Sequence, residues 1–376
     1  MVKSSLKNTV ITHNIFALFV FLSVCYFIQF SSAVTSLSSY NQYQSFVENS
    51  DSLYINAINI HDYYVYLTYI NELENGSLEL TVNNNTGIAA IYVAIKNIFG
   101  VNPVSLPLVA LIVNILIIYL SLLSFCKVVD LLGLHPNYYL LFFMNGSLLY
   151  FSQLINKDSL TLLIFIKSLE LILGDRKKAF FWLIPVSFII RIQLVPFLLL
   201  TLFLSGENKP ILRFWLAYIF TAIIAGLVMK YIPLLSMETM TSGLGLNLNL
   251  IVMQLNQKYA LGSLFLNPLR VIQYLLSLYH SLSFTNLYWV DVGKIKDLPQ
   301  IFVLLTSMPF LIKCYFRYSR YIELPSRILM AQVSAFFMVW LINPTTSGRY
   351  LLVLIPTISL LAVYVYTTNF KDAKFN

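Results

Sequence analysis

The sequence predicts an all-α, polytopic integral membrane protein, and three observations support this fold class. Hydrophobic residues make up 58% of the chain and charged residues only 11%, whereas a soluble domain carries roughly 25% charged residues. The apolar residues occur in runs that approach the length of about 20 residues needed to span a bilayer. The basic residues behind the net charge of +8 lie in short segments between these runs, where they orient a membrane protein and form no patch for nucleic acid.

Several apolar segments have the length and composition of full crossings, so we predict that residues 1–376 form one transmembrane domain with about eight spanning helices. The first segment also resembles a signal peptide, because Lys3 and Lys7 precede its apolar core and the small residues SSA follow at 31–33. We interpret it as an uncleaved signal-anchor. The predicted crossings are 15–34, 104–126, 137–154, 159–174, 211–232, 298–313, 327–343 and 350–367.

The segment 178–204 is irregular, because its apolar residues are interrupted by two prolines, a glutamine and Arg191. It is either a long tilted helix, which raises the count to nine or ten spans, or a re-entrant hairpin of two half-helices. With the N-terminus in the cytoplasm, the hairpin places 14 of the 24 basic residues in cytoplasmic segments and seven in outer loops. The positive-inside rule therefore favours the hairpin, with both termini cytoplasmic and Arg191 at its tip.

This topology predicts two large outer loops, at 35–103 and 233–297. In the first loop, helical spacing of apolar residues from Ile60 to Leu73 predicts an amphipathic helix on the membrane surface. A second short helix is predicted to end at Gly100, which suits a C-cap. In the second loop, a further helix is predicted to start at Pro268.

Charged and aromatic residues from distant parts of the chain are predicted to lie at the outer face. A carboxylate there can act as a general base toward a sugar hydroxyl, and cations can hold a phosphate or diphosphate leaving group. Each charge also has a structural alternative, which is helix capping, solvation, lipid anchoring or pairing with a backbone carbonyl. The candidate catalytic residues are Asp62 and Asp158, and the candidate phosphate-binding residues are Lys157, Arg191, Arg270, Arg349 and Tyr350.

No metal or cofactor is predicted from the sequence. The four histidines are scattered along the chain, and the three cysteines lie in or at the end of apolar segments without metal-ligand spacing. The tyrosines at 63, 64, 66 and 69 fit an aromatic belt at the membrane interface better than a platform for stacking sugars.

Four motifs in order along the chain resemble those of known membrane enzymes. Asp62, Tyr66, Leu73 and Gly76 match an outer-loop pattern D-x3-Y-x6-L-x2-G, and IFGVNP precedes the second span. The stretch YFSQLINKDSLTLL then combines a lysine with an acid, and SGRYLLVLIP opens a late span. Together they resemble the GT-C type of membrane glycosyltransferase and the bacterial surface-polysaccharide (O-antigen) polymerases.

The resemblance implies a bacterial inner-membrane glycosyltransferase of lipopolysaccharide or capsule biosynthesis that uses undecaprenyl-(di)phosphate-linked sugars. The two outer loops would then be periplasmic. A repeat-unit polymerase is favoured, because the loops are long and cationic at separated points. A transferase that moves a single sugar from a polyprenyl-phosphate donor and a polysaccharide flippase or transporter remain alternatives. The implied partners are undecaprenyl-linked glycans, the lipid bilayer and a chain-length regulator protein, with no nucleic acid and no cofactor.

Overall fold

The structure is a computed structural model of the chain. The described residues are 2–29, 31, 60–77, 85–102, 105–231, 246–280, 298–316, 324–342 and 348–374. Within these ranges the regular structure is helical and contains no strand, which confirms the all-α prediction for this part of the chain. The chain divides into two compact units, Met1–Leu194 with Leu287–Gln300, and Val195–Asn286 with Ile301–Asn376.

The first unit contains eight of the α-helices within the described residues, and a 3-10 helix, Pro136–Phe143, between the fourth and the fifth. The α-helices are α1 (Val2–Gln29), α2 (Ile60–Glu74), α3 (Thr86–Phe99), α4 (Leu106–Leu131), α5 (Ser147–Phe151), α6 (Asp158–Leu173), α7 (Lys177–Phe181) and α8 (Leu183–Ile190). From α9 onward the helices belong mainly to the second unit, which also holds the 3-10 helix Gly348–Val353. They are α9 (Leu194–Leu204), α10 (Pro210–Tyr231), α11 (Leu246–Tyr259), α12 (Gly262–His280), α13 (Leu298–Phe316), α14 (Leu324–Trp340) and α15 (Ile355–Lys374).

Among the described residues, three helices are long and apolar enough to cross a membrane. They are Ile11–Gln29 within α1, all of α4 and all of α10. They coincide with the predicted crossings at 15–34, 104–126 and 211–232. The remaining predicted crossings contain shorter or less apolar helices, so the total of about eight stays a prediction.

The helices α4 and α6 pack against each other in the first unit and run in the same direction. Near one end, Asn114 Nδ2 of α4 donates to the carbonyl of Leu154, just before α6 begins (2.8 Å). Toward the other end, Lys127 Nζ of α4 lies 3.8 Å from Glu170 Oε1 of α6. The predicted topology requires this parallel arrangement, because both crossings would run from the outer to the inner face.

The predicted crossing at 137–154 is not one continuous helix. The chain returns between α4 and α6 through the 3-10 helix and the short α5, with Asn145 and Gly146 between them. An Asn-Gly dipeptide favours a turn, and this local preference interrupts a segment whose average hydropathy resembles that of a span. The interruption produces the buried irregular stretch that leads into α6.

The segment 178–204 is broken into α7, α8 and α9. Arg191 has an extended backbone, with φ −162° and ψ 113°, directly after α8. At a rise of 1.5 Å per residue, α8 and α9 are about 12 and 16 Å long, and each is shorter than the bilayer core of about 30 Å. The segment is therefore not one continuous helix, while its hairpin orientation in a membrane stays a prediction.

The helices predicted in the first outer loop are present. The helix α2 begins at Ile60, and α3 ends at Gly100, whose left-handed backbone (φ 63°) and N–H to Lys96 O form the expected cap. Lys96 Nζ also lies 2.5 Å from Glu74 Oε2, which joins the two helices. The other residues of this loop that were predicted to be periplasmic lie largely outside the described residues.

The helix predicted to start at Pro268 begins earlier, at Gly262, and Pro268 lies inside α12. Proline has no backbone N–H and therefore leaves the carbonyl four residues before it without its helical partner. Here that carbonyl belongs to Leu264, and the hydroxyl of Tyr218 donates to it at 2.5 Å. A side chain from another helix thus compensates for the proline, which sequence reasoning could not anticipate.

Candidate functional site

The buried turn before α6 is shaped by Asn156, which is 2% exposed. Its Oδ1 accepts hydrogen bonds from the backbone N–H groups of Asp158 (3.0 Å) and Ser159 (3.2 Å). Its Nδ2 donates to the carbonyls of Phe151 (2.5 Å) and Leu154 (2.7 Å). One asparagine therefore caps the first turn of α6 and closes the preceding loop, as capping residues do.

Two further contacts fix this turn to neighbouring helices. Asn114, in the apolar helix α4, donates to Leu154 and also to Ser152 O (3.3 Å). Gln153 Nε2 donates to the carbonyl of Ser23 in α1 (3.3 Å). A buried loop must satisfy its backbone polar groups internally, and these amides do so. The result is a rigid base for the two charged residues that follow.

Asp158 lies in the first turn of α6 and pairs with Arg191. Its Oδ1 is 3.6 Å from Arg191 Nη1, and the two side chains are 2% and 3% exposed. The helix dipole favours a carboxylate at this position, but Asp158 is not a solvated helix end because it is almost completely buried. This carboxylate is a charged partner for the buried arginine, whose backbone is extended directly after α8.

Lys157 is half-buried beside this pair, and its Nζ donates to Asn85 Oδ1 at 3.2 Å. Asn85 directly precedes α3. Two residues later, Gly87 packs so closely that an added Cβ would overlap the carbonyl oxygen of Ile189 in α8. The N-terminal ends of α3 and α6 and the C-terminal end of α8 therefore meet at one place in the first unit. We call the residues Asn85, Lys157, Asp158 and Arg191 the charged cluster.

Asp62 lies in the first turn of α2 and is half-buried in the same unit. Its assignment as a general base stays a prediction. The neighbouring Tyr63 is 1% exposed, and burial raises the pKa of its phenol, so Tyr63 is neutral at pH 7. Tyr66 is also buried, whereas Tyr64 and Tyr69 are half-buried. Half of the predicted tyrosine belt therefore contributes to the protein core.

The other predicted site residues belong to the second unit. Arg270 is fully buried in α12, and its Nη1 donates to Leu341 O (2.6 Å) and Asn267 Oδ1 (3.2 Å). Because Leu341 follows α14, this arginine caps the C-terminal end of that helix. Tyr350 is half-buried in the 3-10 helix Gly348–Val353, whose backbone includes Arg349. The side chain of Arg349 lies outside the described residues, so its phosphate-binding role, like that of Arg270, stays a prediction.

Sequence reasoning missed the amides that organise the turn. Asn114 and Asn156 are buried within or between apolar segments, where an amide needs partners and therefore has a specific role. An asparagine inside the run ALIVNILII was the available signal for the first of them. The close contact at Gly87 left no such signal, because it depends on two segments far apart in the chain.

The charged cluster has more positive than negative charge, with one lysine and one arginine against one aspartate. Two helix N-terminal ends add partial positive charge and the C-terminal end of α8 adds partial negative charge, so the balance stays positive and suits an anionic group. Among the described residues, no group of three or more His, Cys, Asp or Glu side chains is placed to hold a metal ion. The chain matches no protein-family model, no curated protein and no solved structure.

Proposed function

We propose that this protein is a bacterial inner-membrane glycosyltransferase that uses undecaprenyl-(di)phosphate-linked sugars at the periplasmic face and polymerises the repeat units of a surface polysaccharide. The observation that carries the proposal is the buried Asp158–Arg191 pair with Lys157 beside it. Buried ionisable groups in membrane proteins are costly and commonly mark substrate or ion pathways. The order of motifs along the sequence supports the choice of a glycosyl substrate.

In this mechanism Lys157 and Arg191 bind the phosphate groups of a lipid-linked sugar. Arginine can donate two parallel hydrogen bonds to phosphate oxygens, and lysine adds a compact charge. Both cations neutralise the negative charge that develops as the bond between the sugar and the diphosphate breaks. Asp158 orients Arg191, because its carboxylate lies 3.6 Å from the Nη1 of that arginine.

The proton of the acceptor hydroxyl passes to a different carboxylate, for which Asp62 is the candidate. The hydroxyl oxygen attacks the anomeric carbon, the lipid diphosphate leaves with the bonding electrons, and Asp62 takes the proton. A positioned base contributes about 10²–10⁴-fold to a rate. This division of roles assigns one acid to each task, since Asp158 already pairs with Arg191 and Asp62 is a half-buried residue of another helix.

Transport of a lipid-linked glycan is the second candidate, and the break at Arg191 favours it. Secondary transporters commonly bind their substrates where a membrane helix is interrupted, and α8 and α9 are separated by the non-helical residues 191–193. In that case Arg191 would bind a phosphate during translocation without any bond being broken.

Analysis of lipid-linked glycans in a strain that carries only Asp158→Asn tests the proposal. The matched control is Asp175→Asn, since Asp175 is 83% exposed and pairs only with the exposed Lys177 among the contacts described (3.4 Å). With equal protein levels in the membrane, we expect the control to make full-length chains and Asp158→Asn to accumulate single repeats at the periplasmic face.

Other outcomes separate the alternatives. Single repeats that accumulate at the cytoplasmic face would support a flippase, and full-length chains that lack one side sugar would support a single-sugar transferase. Glycans of normal length and composition from Asp158→Asn would show that the charged cluster has no part in glycan assembly and would contradict the proposal.

A further inference from the structure

An apolar groove of about 360 Å³ lies in the first unit along one face of α1. This volume falls within the range of about 300–1,000 Å³ typical of ligand pockets. The opposite wall is formed by residues between 143 and 150. The α1 wall consists of Ile15, Leu18, Phe19, Leu22 and Tyr26.

The spacing of these residues makes the groove elongated. They recur at helical intervals on one side of α1, and the distance from Ile15 to Tyr26 is about 16 Å at 1.5 Å per residue. Leu18 and Leu22 are 55% and 46% exposed, in a stretch that is apolar and long enough to cross a membrane. The groove therefore opens toward the surroundings of a helix that is predicted to face lipid.

The polar groups near the groove are occupied by each other. Gln300 Nε2 donates to Asn145 Oδ1 at 3.0 Å and also to the hydroxyl of Ser147, and all three residues are buried. The remaining lining side chains are aliphatic and aromatic, and only Tyr26 and Tyr150 among them carry a polar group. A sugar or a charged group would lose its hydration there without gaining partners, so the groove suits a hydrocarbon chain.

One end of the groove is linked to the buried turn before α6 through Ser23. Tyr26 is one helical turn beyond Ser23, whose carbonyl accepts from Gln153 and whose hydroxyl accepts from Ser152 (both 3.3 Å). From there the buried turn runs directly to Asp158. A chain lying in the groove with its head at the Tyr26 end would thus present that head to the turn that carries the cationic residues.

We infer that the groove binds the polyprenyl chain of the lipid-linked substrate, with its phosphate end toward Tyr26. This inference rests on the proposed function, because a polyprenyl phosphate is the lipid whose head the charged cluster would hold. An ordinary phospholipid in contact with α1 has no comparable reason to be ordered at this position.

Photo-crosslinking of the purified full-length protein in nanodiscs tests the inference. The probes are farnesyl monophosphate carrying a diazirine on its last isoprene unit and a phosphatidylglycerol carrying a diazirine on one acyl chain. We expect the farnesyl probe to label peptides containing residues 15–26 and 143–150, and unlabelled farnesyl monophosphate to compete. Labelling by the phospholipid probe should be spread over other exposed apolar helices.

Substitution of a groove residue provides the matched comparison. Leu22→Trp places a larger side chain in the groove, and overpacking should reduce farnesyl labelling by about tenfold or more. Leu116→Trp is the control, because Leu116 is similarly exposed (56%) on another long apolar helix but does not line the groove. Both variants must show the same Tm and membrane level as the unsubstituted protein. Labelling of the unsubstituted protein tests the inference even if a variant does not fold.

Equal competition by phospholipid, or farnesyl labelling spread evenly over α1, α4 and α10, would overturn the inference. The same assay on Asp158→Asn separates it from the proposed function. Normal farnesyl labelling of the groove together with normal glycan synthesis in that variant would retain the groove and remove the catalytic proposal. Absent groove labelling in the unsubstituted protein together with defective glycan synthesis in Asp158→Asn would remove the groove and retain the catalytic proposal.

Discussion

Replacing Asp158 with asparagine removes one charge from a pair that is buried on both sides. Asp158 Oδ1 lies 3.6 Å from Arg191 Nη1, and the side chains are 2% and 3% exposed. Removing one partner of a buried ion pair leaves the other charge uncompensated and costs about 3–5 kcal/mol. A domain of roughly 150–250 residues loses about 2–4 °C of Tm per kcal/mol. We therefore expect Asp158→Asn to lower the Tm by on the order of 10 °C.

The measurement is thermal unfolding of the purified protein in detergent, followed by tryptophan fluorescence. Asp175→Asn serves again as the control, because an exposed pair such as Asp175–Lys177 is screened by solvent and contributes little. A second variant combines Asp158→Asn with Arg191→Gln and removes the charge that was left behind. We expect this double variant to recover part of the lost Tm but none of the lost glycan synthesis, because the phosphate ligand is missing.

Two results would refute this reasoning. A Tm of Asp158→Asn within about 1 °C of the control would show that the buried ion pair does not contribute to stability on the scale expected. Wild-type glycan synthesis in the double variant would show that the pair has only a structural role. The stability and glycan measurements therefore test the pair and its proposed function separately.

Three further predictions follow from the backbone and the topology. Gly87→Ala should push the end of α8 away, because the new Cβ would overlap Ile189 O. We expect the free energy of unfolding to fall by about 1–3 kcal/mol, and an unchanged Tm would contradict the close approach. Ala260→Gly should raise stability by about 0.5–1 kcal/mol, because Ala260 has a left-handed backbone (φ 57°); a lower Tm would show that this strain is not present. A reporter active only in the cytoplasm should be active when fused after Lys209 and silent when fused after Lys157, and the opposite pattern would remove the hairpin topology.

Long apolar helices were predictable because the mean hydropathy of a segment is an average over many residues. The helices at 104–126 and 211–232 were confirmed as long apolar helices for this reason. Shorter features depend on single residues, and there the sequence was less informative. Averaged hydropathy concealed the Asn145-Gly146 turn within 137–154, and Pro268 suggested a helix start although the Tyr218 hydroxyl allows the helix to continue through it.

The candidate site was predictable as a set of residues but not as a geometry. Lys157, Asp158 and Arg191 were each identified as charges in an apolar setting, yet nothing in the sequence indicated that Arg191 would pair with Asp158 and Lys157 with Asn85. These pairings depend on how separate helices approach one another. Arg270, Arg349 and Tyr350 belong to the second unit.

The break at Arg191 and the buried ion pair have a common physical explanation. The backbone on both sides remains bonded, since the N–H of Arg191 donates to Ser187 O (2.8 Å) and the N–H of Leu194 donates to Arg191 O (2.9 Å). Irregular backbone within a membrane is tolerated where protein surrounds it or where it lines a cavity, and Arg191 is almost fully buried. A pair of apolar residues would often stabilise such a position at least as well as two charges do. Stability alone therefore does not explain this pair, and the proposed binding of a phosphate by Arg191 would give the buried charges a function.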